Sequence, residues 1–312
     1  MEKRLNPLVS IIIPAYNKAF LTVKAVESVL HQTYTPIEII VVDDGSKDDT
    51  GERLAAIQGI RYIYKENGGA CSARNLGLKY AAGSYVGFLD CDDMYESEKV
   101  AECVNYLQEH PDAGFVHTAA YFTDENNQIV SVYSHRRSRK SGRIAERLIQ
   151  GNFICNSTVI ARRDCFDKAG GFDESIFPPA DWDLWIRLAE IADAGYIDRP
   201  LTRYRVTDNY TFNRLELSRR EELYVIEKYF RRHSVFPERL RRRALSNFHL
   251  RYAQCYLLLG NQAQLGEEFK SCLKYDPFNV KAMAQLAGYV LGRPWLKAEL
   301  KRRILRHNTQ TN

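Results

Sequence analysis

Three carboxylates within four positions, in Asp90-Cys91-Asp92-Asp93, form the pattern best suited to chemistry in this sequence. They follow a short apolar run, residues 85–89, that is typical of a buried strand. Neighbouring carboxylates repel one another, and a bound cation relieves that repulsion. Mg²⁺ and Mn²⁺ prefer carboxylate oxygens and also bind phosphate oxygens. A cluster of this kind alone is more typical of a solvated acidic turn, but its position at the end of a strand, opposite a second acidic strand end, favours a metal site for a diphosphate-bearing substrate.

A second acidic pair, Asp43-Asp44, ends another apolar run at residues 37–42. Between such runs the hydrophobic spacing is that of helices, so strands and helices alternate through the first hundred residues. This alternation predicts mostly parallel strands joined by right-handed crossovers, with helices on both faces. Ligands bind such sheets at the carboxyl ends of the strands. Both acidic clusters are therefore expected to meet in one crevice.

The elements that must hold these side chains follow from the hydrophobic pattern. Strands are predicted at residues 9–13, 37–42, 60–64 and 85–89, and helices at 19–31, 49–57, 70–82 and 96–109, the third ending at Gly83. Further along, the pattern predicts a hairpin with strands 115–122 and 128–133, a strand at 156–161 and a helix at 181–191. Residues 215–306 lack strand signals and predict helices only.

Composition places the chain among ordinary globular proteins. Hydrophobic residues make up 45% and charged residues 27% of its 312 residues, which excludes a disordered, collagen-like or low-complexity chain. The apolar start is broken by Pro14 and is too short for a signal peptide, and no run approaches the roughly 18 residues of a membrane span, so a cytoplasmic location is expected. Seven cysteines without a CxxC pair argue against a zinc site or a disulfide framework.

Charge is distributed unevenly along the chain. The net charge is +5, yet residues 201–312 contain 22 Lys+Arg against 10 Asp+Glu, and the first 200 residues are net negative. The C-terminal third is therefore expected to face an anionic partner or to pack on the acidic part. We expect two domains, residues 1–212 and 213–312.

Four blocks of sequence carry a resemblance to a known family. They are Val9-Ser-Ile-Ile-Ile-Pro-Ala-Tyr-Asn17, Ile39-Ile-Val-Val-Asp-Asp-Gly-Ser46, Phe88-Leu-Asp-Cys-Asp-Asp93, and Gly170-Gly-Phe-Asp173 through Ala180-Asp-Trp-Asp-Leu-Trp-Ile-Arg187. In this order they resemble family 2 glycosyltransferases of the GT-A fold, over about two thirds of the chain. The resemblance implies an inverting, metal-dependent transfer of a sugar from a nucleotide-sugar, with no covalent intermediate.

The resemblance also implies residues that bind the donor. Pro14 and Tyr16, on the loop after the first strand, would contact the nucleotide. Asp44 would accept a hydrogen bond from the base, as the equivalent aspartate does with uracil. Arg74 would touch the donor, although a surface arginine on a helix explains it equally well.

The acidic cluster and one later aspartate complete the implied site. Asp92 would bind Mn²⁺ or Mg²⁺, Asp90 would contact the ribose or the metal shell, and Asp93 would accept backbone hydrogen bonds in the turn. Asp181 would be the general base, a role compatible with capping its helix. Two residues depart from the family pattern: Ala180 stands where relatives usually have glutamate, and Thr207 where many have histidine. Arg203 or Arg205 would then face the diphosphate or form structural ion pairs.

The C-terminal third carries two further signals. Residues 246–279 follow the spacing of one tetratricopeptide unit, which we expect to pack on its neighbours or, with lower weight, to bind a partner. Residues 293–306 are basic and amphipathic, so they predict either a helix on an anionic membrane surface or one packed through its apolar stripe. The residues offer no aromatic platform or binding motif for nucleic acid.

Several functions compete for these observations. The leading one is transfer from a nucleotide-sugar, a UDP-sugar above others, to a glycan or lipid-linked acceptor, as in cell-surface polysaccharide synthesis. A sugar-nucleotide pyrophosphorylase would need a glycine-rich loop where Pro14-Ala-Tyr-Asn17 stands, and no GxGxxG follows a strand as a dinucleotide dehydrogenase requires. A decayed transferase acting as a scaffold through its helical C-terminus stays open.

Overall fold

The computed structural model describes residues 6–134, 141–206, 214–232 and 237–290. These residues divide into two compact units. The first contains those within Met1–Ile144, Ile154–Ile176 and Asp183–Asp208. The second contains those within Ala145–Phe153, Phe177–Trp182 and Asn209–Asn312. The expected domain division at residue 212 stays a prediction.

The first unit is built on a nine-stranded mixed sheet. Its strands are β1 Val9–Ala15, β2 Ile37–Asp43, β3 Ile60–Tyr64, β4 Tyr85–Phe88, β5 Met94–Tyr95, β6 Ala113–Thr123, β7 Ile129–Tyr133, β8 Ile160–Arg162 and β9 Asp193–Arg205. Its helices are α1 Ala19–Leu30, α2 Thr50–Ala55, α3 Ala70–Tyr80, α4 Lys99–Glu109 and α6 Arg163–Ala169. The strand order is β3-β2-β1-β4-β8-β6-β9-β5, with β7 paired to β6.

The parallel half of the sheet follows the sequence prediction closely. Strand β1 lies between β2 and β4 and is parallel to both. Ile11 and Ile13 pack in a core shared with α1 and α4. Ile12 faces α3, where a Cβ on Gly77 would lie 2.4 Å from the Ile12 side chain. Alternating side chains of one strand therefore bury both faces of the sheet, as expected for parallel strands. Helix α3 ends at Tyr80, before Gly83, so the predicted glycine stop is wrong.

The other half of the sheet is mixed. The predicted hairpin is present as β6 and β7, and β8 is antiparallel to both β4 and β6. The predicted strand at residues 156–161 is wrong in its first half, because Asn156–Thr158 form a 3₁₀ turn and β8 begins at Ile160. Strand β9, which sequence reasoning did not predict, runs parallel to β6.

The second unit is helical. It contains α5 Ala145–Leu148, α8 Leu215–Arg232, α9 Glu238–Leu259, α10 Gln262–Tyr275 and α11 Val280–Val290, and it also holds the first turn of α7 Ala180–Ile191. Helices α9 and α10 form a hairpin around Gly260, whose φ of 74° suits a left-handed cap. Ala253, Tyr256, Leu265 and Phe269 are buried in that hairpin.

The hairpin agrees with the predicted helical pair, but its assignment as a tetratricopeptide unit stays a prediction. Residues 293–306, the predicted amphipathic tail, lie outside the described residues. Within the described part of the chain, every helix is too short or too polar to cross a membrane.

Candidate active site

The loops that follow β1 and β2 are joined to each other. Asn17 donates its backbone N–H to the Ser46 hydroxyl at 3.0 Å, and its Oδ1 accepts the N–H of Lys47 at 2.8 Å. Tyr16, in the same loop, is 44% exposed. This exposure leaves a ring at the carboxyl end of β1 that can contact a ligand.

Pro14 was expected in that loop, but it lies within β1, so its predicted position is wrong. It is a buried residue of β1, opposite Val42 of β2. Proline is tolerated there because β4 pairs with β1 only as far as Ile12, so the missing N–H has no strand to bond.

Asp44, directly after β2, is buried and holds the loop that follows β3. Its Oδ1 accepts from Lys65 Nζ at 2.7 Å and from the Gly68 N–H at 2.9 Å, and its Oδ2 accepts from the Gly69 N–H at 2.7 Å. A carboxylate has about four acceptor positions, and these donors fill three. Gly45 is required beside it, because its φ is 81° and a Cβ there would lie 2.8 Å from the loop backbone.

Asp43 points into the protein and fixes the turn after β2. Its Oδ1 accepts the Ser46 N–H at 2.8 Å, and its Oδ2 accepts the Tyr62 hydroxyl at 2.7 Å. Burial and this hydrogen bond raise the pKa of Tyr62 above its usual range. By the same count two acceptor positions of Asp43 are filled, and both bonds serve the turn after β2 and its contact with β3.

Asp90 begins the acidic cluster after β4 and accepts hydrogen bonds from two side chains. Arg74 of α3 donates to its Oδ1 at 2.6 Å, and Asn156 donates to the same oxygen at 2.9 Å. The Arg74 guanidinium also lies 5.2 Å from the centroid of the Phe172 ring, a cation–π contact. Arg74 is 8% exposed, so it is a buried partner of Asp90 and not a surface arginine.

Asp93 ends the cluster and is buried. It accepts the Ser157 hydroxyl at 2.6 Å and the backbone N–H of Arg205 at 2.9 Å. The backbone donor thus comes from β9, whereas the sequence predicted donors within the turn. Burial, reinforced by the charges of Asp92 and Asp90, raises the pKa of Asp93 well above its ordinary value, although both hydrogen bonds oppose the shift.

Asp92 differs from both neighbours because its partner is near solvent. Its Oδ2 lies 2.5 Å from Lys18 Nζ, and the side chains of this pair are 23% and 44% exposed, respectively. Burial lowers the pKa of Lys18, but the negative charges around Asp92 outweigh burial and raise it above its usual range. Lys18 directly follows the β1 loop, so this ion pair joins the carboxyl ends of β1 and β4.

The residues present fit a divalent cation in one specific way. Within the described residues, no group of three His, Cys, Asp or Glu side chains could hold a metal ion. Asp92 alone of the cluster offers a carboxylate that is not bound to buried donors. Mg²⁺ sites of enzymes commonly use one or two carboxylates and complete their shell with substrate phosphates. Asp92 suits that arrangement.

The segment Gly170–Asp173 is fixed to α3 beside Arg74. Asn75 accepts the Phe172 N–H at 2.8 Å and donates to the Phe172 carbonyl at 2.9 Å. A Cβ on Gly171 would lie 2.4 Å from Asn75 Oδ1, so the close approach requires glycine. Arg187 of α7 donates to the Gly171 carbonyl at 2.8 Å from the other side. This clamp holds the Phe172 ring under the Arg74 guanidinium.

Asp181, the predicted base, lies in the first turn of α7 and is buried. Its Oδ1 accepts the N–H of Trp182 at 2.7 Å, and Asn152 donates to its Oδ2 at 3.5 Å. The helix begins at Ala180, so Asp181 is inside the helix and is not its cap. The aspartate belongs to the second compact unit, whereas Asp44, Arg74, Asp90 and Asp92 belong to the first.

The two arginines near the end of β9 have structural partners. Arg203 donates to Glu96 at 2.7 Å. Arg205 donates to the carbonyls of Asp92 and Asp124, each at 3.2 Å. Of the two predicted roles, binding the diphosphate or forming structural contacts, these bonds favour the structural one. Thr207 lies outside the described residues.

Sequence reasoning missed Lys18, Asn156 and Ser157 at the acidic cluster. Lys18 is separated from Asp92 by 74 positions, and Asn156 from Asp90 by 66. No local pattern marks such partners, because a lysine ahead of a helix resembles any surface lysine. The polar run Asn156-Ser157-Thr158, at the start of the predicted strand, is the available signal.

Comparison with known proteins adds a family to this geometry. A profile of glycosyl transferase family 2 matches residues 10–170. An uncharacterized glycosyltransferase of Rickettsia typhi is 36% identical over 219 residues, covering 68% of this chain and 68% of that protein. A chondroitin synthase of Escherichia coli is 29% identical over 233 residues, covering 71% of this chain. The chain spans about two thirds of the first relative and 32% of the second.

Solved structures are similar in fold. A mannosyltransferase from Pyrobaculum calidifontis, in complex with GDP-Man and Mn²⁺, has a TM-score of 0.63 at 18% identity, covering 98% of this chain and 86% of that one. TarS of S. aureus, in complex with UDP-GlcNAc, has a TM-score of 0.56 at 18% identity, covering 85% and 90%. Likeness at such identity concerns the fold alone, and it confirms the predicted α/β fold followed by helices.

Proposed function

The chain belongs to glycosyl transferase family 2 and is a glycosyltransferase, and from this premise we propose that it moves a sugar from a UDP-sugar to a hydroxyl of a glycan or lipid-linked acceptor. We infer inversion at the anomeric carbon and dependence on a divalent cation. The polysaccharide synthase among its relatives supports a role in making cell-surface glycans. One observation carries the proposal: three neighbouring strand ends each offer a group to a ligand. Tyr16 offers an exposed ring, Asp44 a remaining acceptor position, and Asp92 a carboxylate near solvent.

The donor's nucleotide is assigned to the ends of β1 and β2. Tyr16 offers an exposed ring, and Pro14 is a buried residue of β1 two positions before it. Asp44 keeps one acceptor position, which suits the N–H of a uracil ring. Arg74 and Asp90 form the wall toward the ribose and diphosphate, since their ion pair fixes both side chains.

The chemistry is assigned to the acidic cluster and to Asp181. A Mg²⁺ or Mn²⁺ ion held by Asp92 would neutralise the leaving diphosphate. Asp181 takes the proton of the acceptor hydroxyl while that oxygen attacks the anomeric carbon and the bond to the diphosphate breaks. Asn152 and the N–H of Trp182 orient the carboxylate for this task. Positioned bases contribute roughly 10²–10⁴-fold to such reactions.

The test is a binding panel with purified full-length protein. Melting temperature is measured with UDP-, GDP- and dTDP-sugars, each with and without Mn²⁺. We expect the largest increase with a UDP-sugar and Mn²⁺, and we expect Asp92→Asn to lose the Mn²⁺-dependent part. A GDP-sugar giving the largest increase would replace the donor assignment. Binding of no nucleotide-sugar would overturn the proposed function.

The base is tested separately from the donor site. Asp181→Asn should bind the donor as the wild type does, because the base acts on the acceptor proton. Transfer to a panel of glycan and lipid-linked acceptors should fall by roughly 10²–10⁴-fold. Transfer within about threefold of the wild type would assign the base to another residue.

We propose also that residues 293–306 hold the enzyme reversibly on an anionic membrane. The support is their composition, with six basic residues beside Trp295 and Leu296 and one acid, Glu299. Each basic residue near such a surface contributes on the order of 1 kcal/mol. Full-length protein should sediment with liposomes containing phosphatidylglycerol, and a chain ending at Gly292 should not. Equal binding of both chains would overturn the role of this segment.

A further inference from the structure

The ion pair between Lys18 and Asp92 is unlike the other charge contacts of the acidic cluster. Asp90 is held by Arg74, whose side chain is 9% exposed, whereas the Lys18 side chain is 44% exposed. Exposed ion pairs contribute about 0–1 kcal/mol to stability, so this pair is easily broken. The contact therefore serves the fold little, although it lies at the centre of the candidate site.

The cluster nevertheless requires a positive charge at this position. Asp90, Asp92 and Asp93 lie within four residues, and Asp93 is buried. Arg74 compensates the charge of Asp90, and the Lys18 ammonium compensates that of Asp92. A divalent cation bound to Asp92 would compete with the ammonium, because both positive charges are neutralised by the same carboxylate.

We propose that Lys18 is the exchangeable counter-ion of Asp92: its ammonium occupies the carboxylate until a divalent cation and a nucleoside diphosphate bind, and then transfers to the diphosphate. The inference rests on the proposed function. Lysine suits such an exchange, because its charge is compact and its four-carbon stem is mobile. Lys18 lies between the β1 loop, where the nucleotide is assigned, and α1, so a short movement brings its Nζ from Asp92 to a neighbouring phosphate.

The exchange couples the two ligands. A cation binding alone must displace Lys18 and leave the ammonium without a partner, so it binds weakly. A diphosphate supplies the new partner, so each ligand strengthens the binding of the other. Linkage requires the two effects to be equal in free energy. The exchange therefore predicts a site that takes up the cation together with the donor and holds little metal by itself.

The experiment measures binding and not turnover. Mn²⁺ affinity of the full-length protein is measured by water proton relaxation, with and without saturating UDP, for the wild type, Lys18→Met and Lys18→Arg. Lys79→Met is the matched control, since it removes an exposed lysine from the last turn of α3, away from the assigned ligand site. The double variant Lys18→Met with Asp92→Asn tests whether any effect passes through Asp92.

For Lys18→Met we expect Mn²⁺ to bind roughly tenfold more tightly in the absence of UDP. The increase in Mn²⁺ affinity that UDP produces should shrink by a similar factor, which is within the usual range of coupling. Lys18→Arg should keep wild-type coupling in large part, Lys79→Met should match the wild type, and the double variant should lose the tighter Mn²⁺ binding.

Wild-type values for Lys18→Met in both titrations would overturn the exchange, as would equal effects of Lys18→Met and Lys79→Met. A wild-type protein that binds neither UDP nor GDP would instead reject the proposed function. The two failures are therefore distinguishable.

Discussion

The carboxyl ends of β2 and β4 carry the same kind of sequence but are built differently. Each follows a buried strand and begins with aspartates, Asp43-Asp44 at one end and Asp90 to Asp93 at the other. At the β2 end both carboxylates accept two or three hydrogen bonds from the protein. At the β4 end Asp90 and Asp93 each accept bonds from the protein in the same way, but Asp92 contacts a half-exposed lysine. The partner, and not the position, thus separates a structural carboxylate from one free to act.

The two ends also differ in where their donors come from. The donors to Asp44 lie within 25 positions of it. Asp90 and Asp93 are bound by Asn156, Ser157 and Arg205, at separations of 64 to 112 positions. The β2 end is therefore completed locally, whereas the β4 end depends on the whole sheet. Stability measurements on variants of each end can break or sharpen this contrast.

The largest loss of stability is expected for Arg74→Met. The change leaves Asp90, whose side chain is 14% exposed, without its cationic partner, and removing one member of a buried pair costs about 3–5 kcal/mol. Because Asn156 still donates to Asp90, we expect the lower end, about 3 kcal/mol, in urea unfolding. Arg53→Met, in an exposed pair with Asp49, should change little. Equal values for the two variants would show that the β4 end does not rely on Arg74.

Asp44→Ala should destabilise by about 2 kcal/mol. Its carboxylate accepts three hydrogen bonds, but the glycine donors are exposed and can bond water instead. Asp49→Ala, which removes an exposed acid nearby, is the control and should lie within about 0.5 kcal/mol of the wild type. Equal urea midpoints for both variants would remove the structural role of the β2 end.

A smaller effect on stability is expected for Lys99, which is fully buried and donates to the Thr118 hydroxyl at 3.4 Å. Burial lowers its pKa, so the folded protein releases this proton at a lower pH than the unfolded chain does. Between that lowered pKa and the unfolded value of about 10.4, the unfolded state binds more protons, and stability rises with pH. Relative to Lys99→Met, the wild type should therefore gain stability from pH 7 to 10. Parallel curves would place the ammonium in contact with water.

The smallest effect on stability is expected for Asp92→Ala. Its ion pair with Lys18 is solvent-accessible, so the free energy of unfolding without ligands should change by less than about 0.5 kcal/mol. Removing one of three neighbouring carboxylates also relieves repulsion, which favours the variant. A loss near that of Asp44→Ala would make both strand ends structural and would weaken the functional assignment of Asp92.

Much of the first half of the fold could be predicted from local pattern. The runs that became β1, β2 and β4 are apolar on both faces, which is typical of central parallel strands. Strand β9 escaped prediction because it mixes charged and apolar residues and contains Pro200, which argues against a strand. The structure accommodates Pro200 at a register shift between β6 and β9.

The candidate site was predictable in its acidic members and, through the family resemblance, in Tyr16 and Arg74. Asp90 and Asp92 stand out by composition, whereas the partners that distinguish them come from distant segments. The sequence predicts a strand at Asn156 and Ser157, but their side chains bind Asp90 and Asp93, and this favours a 3₁₀ turn over a strand. Which aspartate keeps a partner near solvent is decided by the tertiary structure, and no spacing rule encodes it.

The hydrogen bond from the Arg205 N–H to Asp93 spans 112 positions, so Asp93 is synthesised well before its donor. A ribosome adds about 5–20 residues per second, so β9 is made on the order of 10 s after the acidic cluster. Until then the nascent chain can pair β1, β2 and β4, but Asp93 has only water at the place of this donor. Strands β1, β2 and β4 can therefore be in place before the hydrogen bonding of Asp93 is complete, because its donor comes from a strand that is made much later.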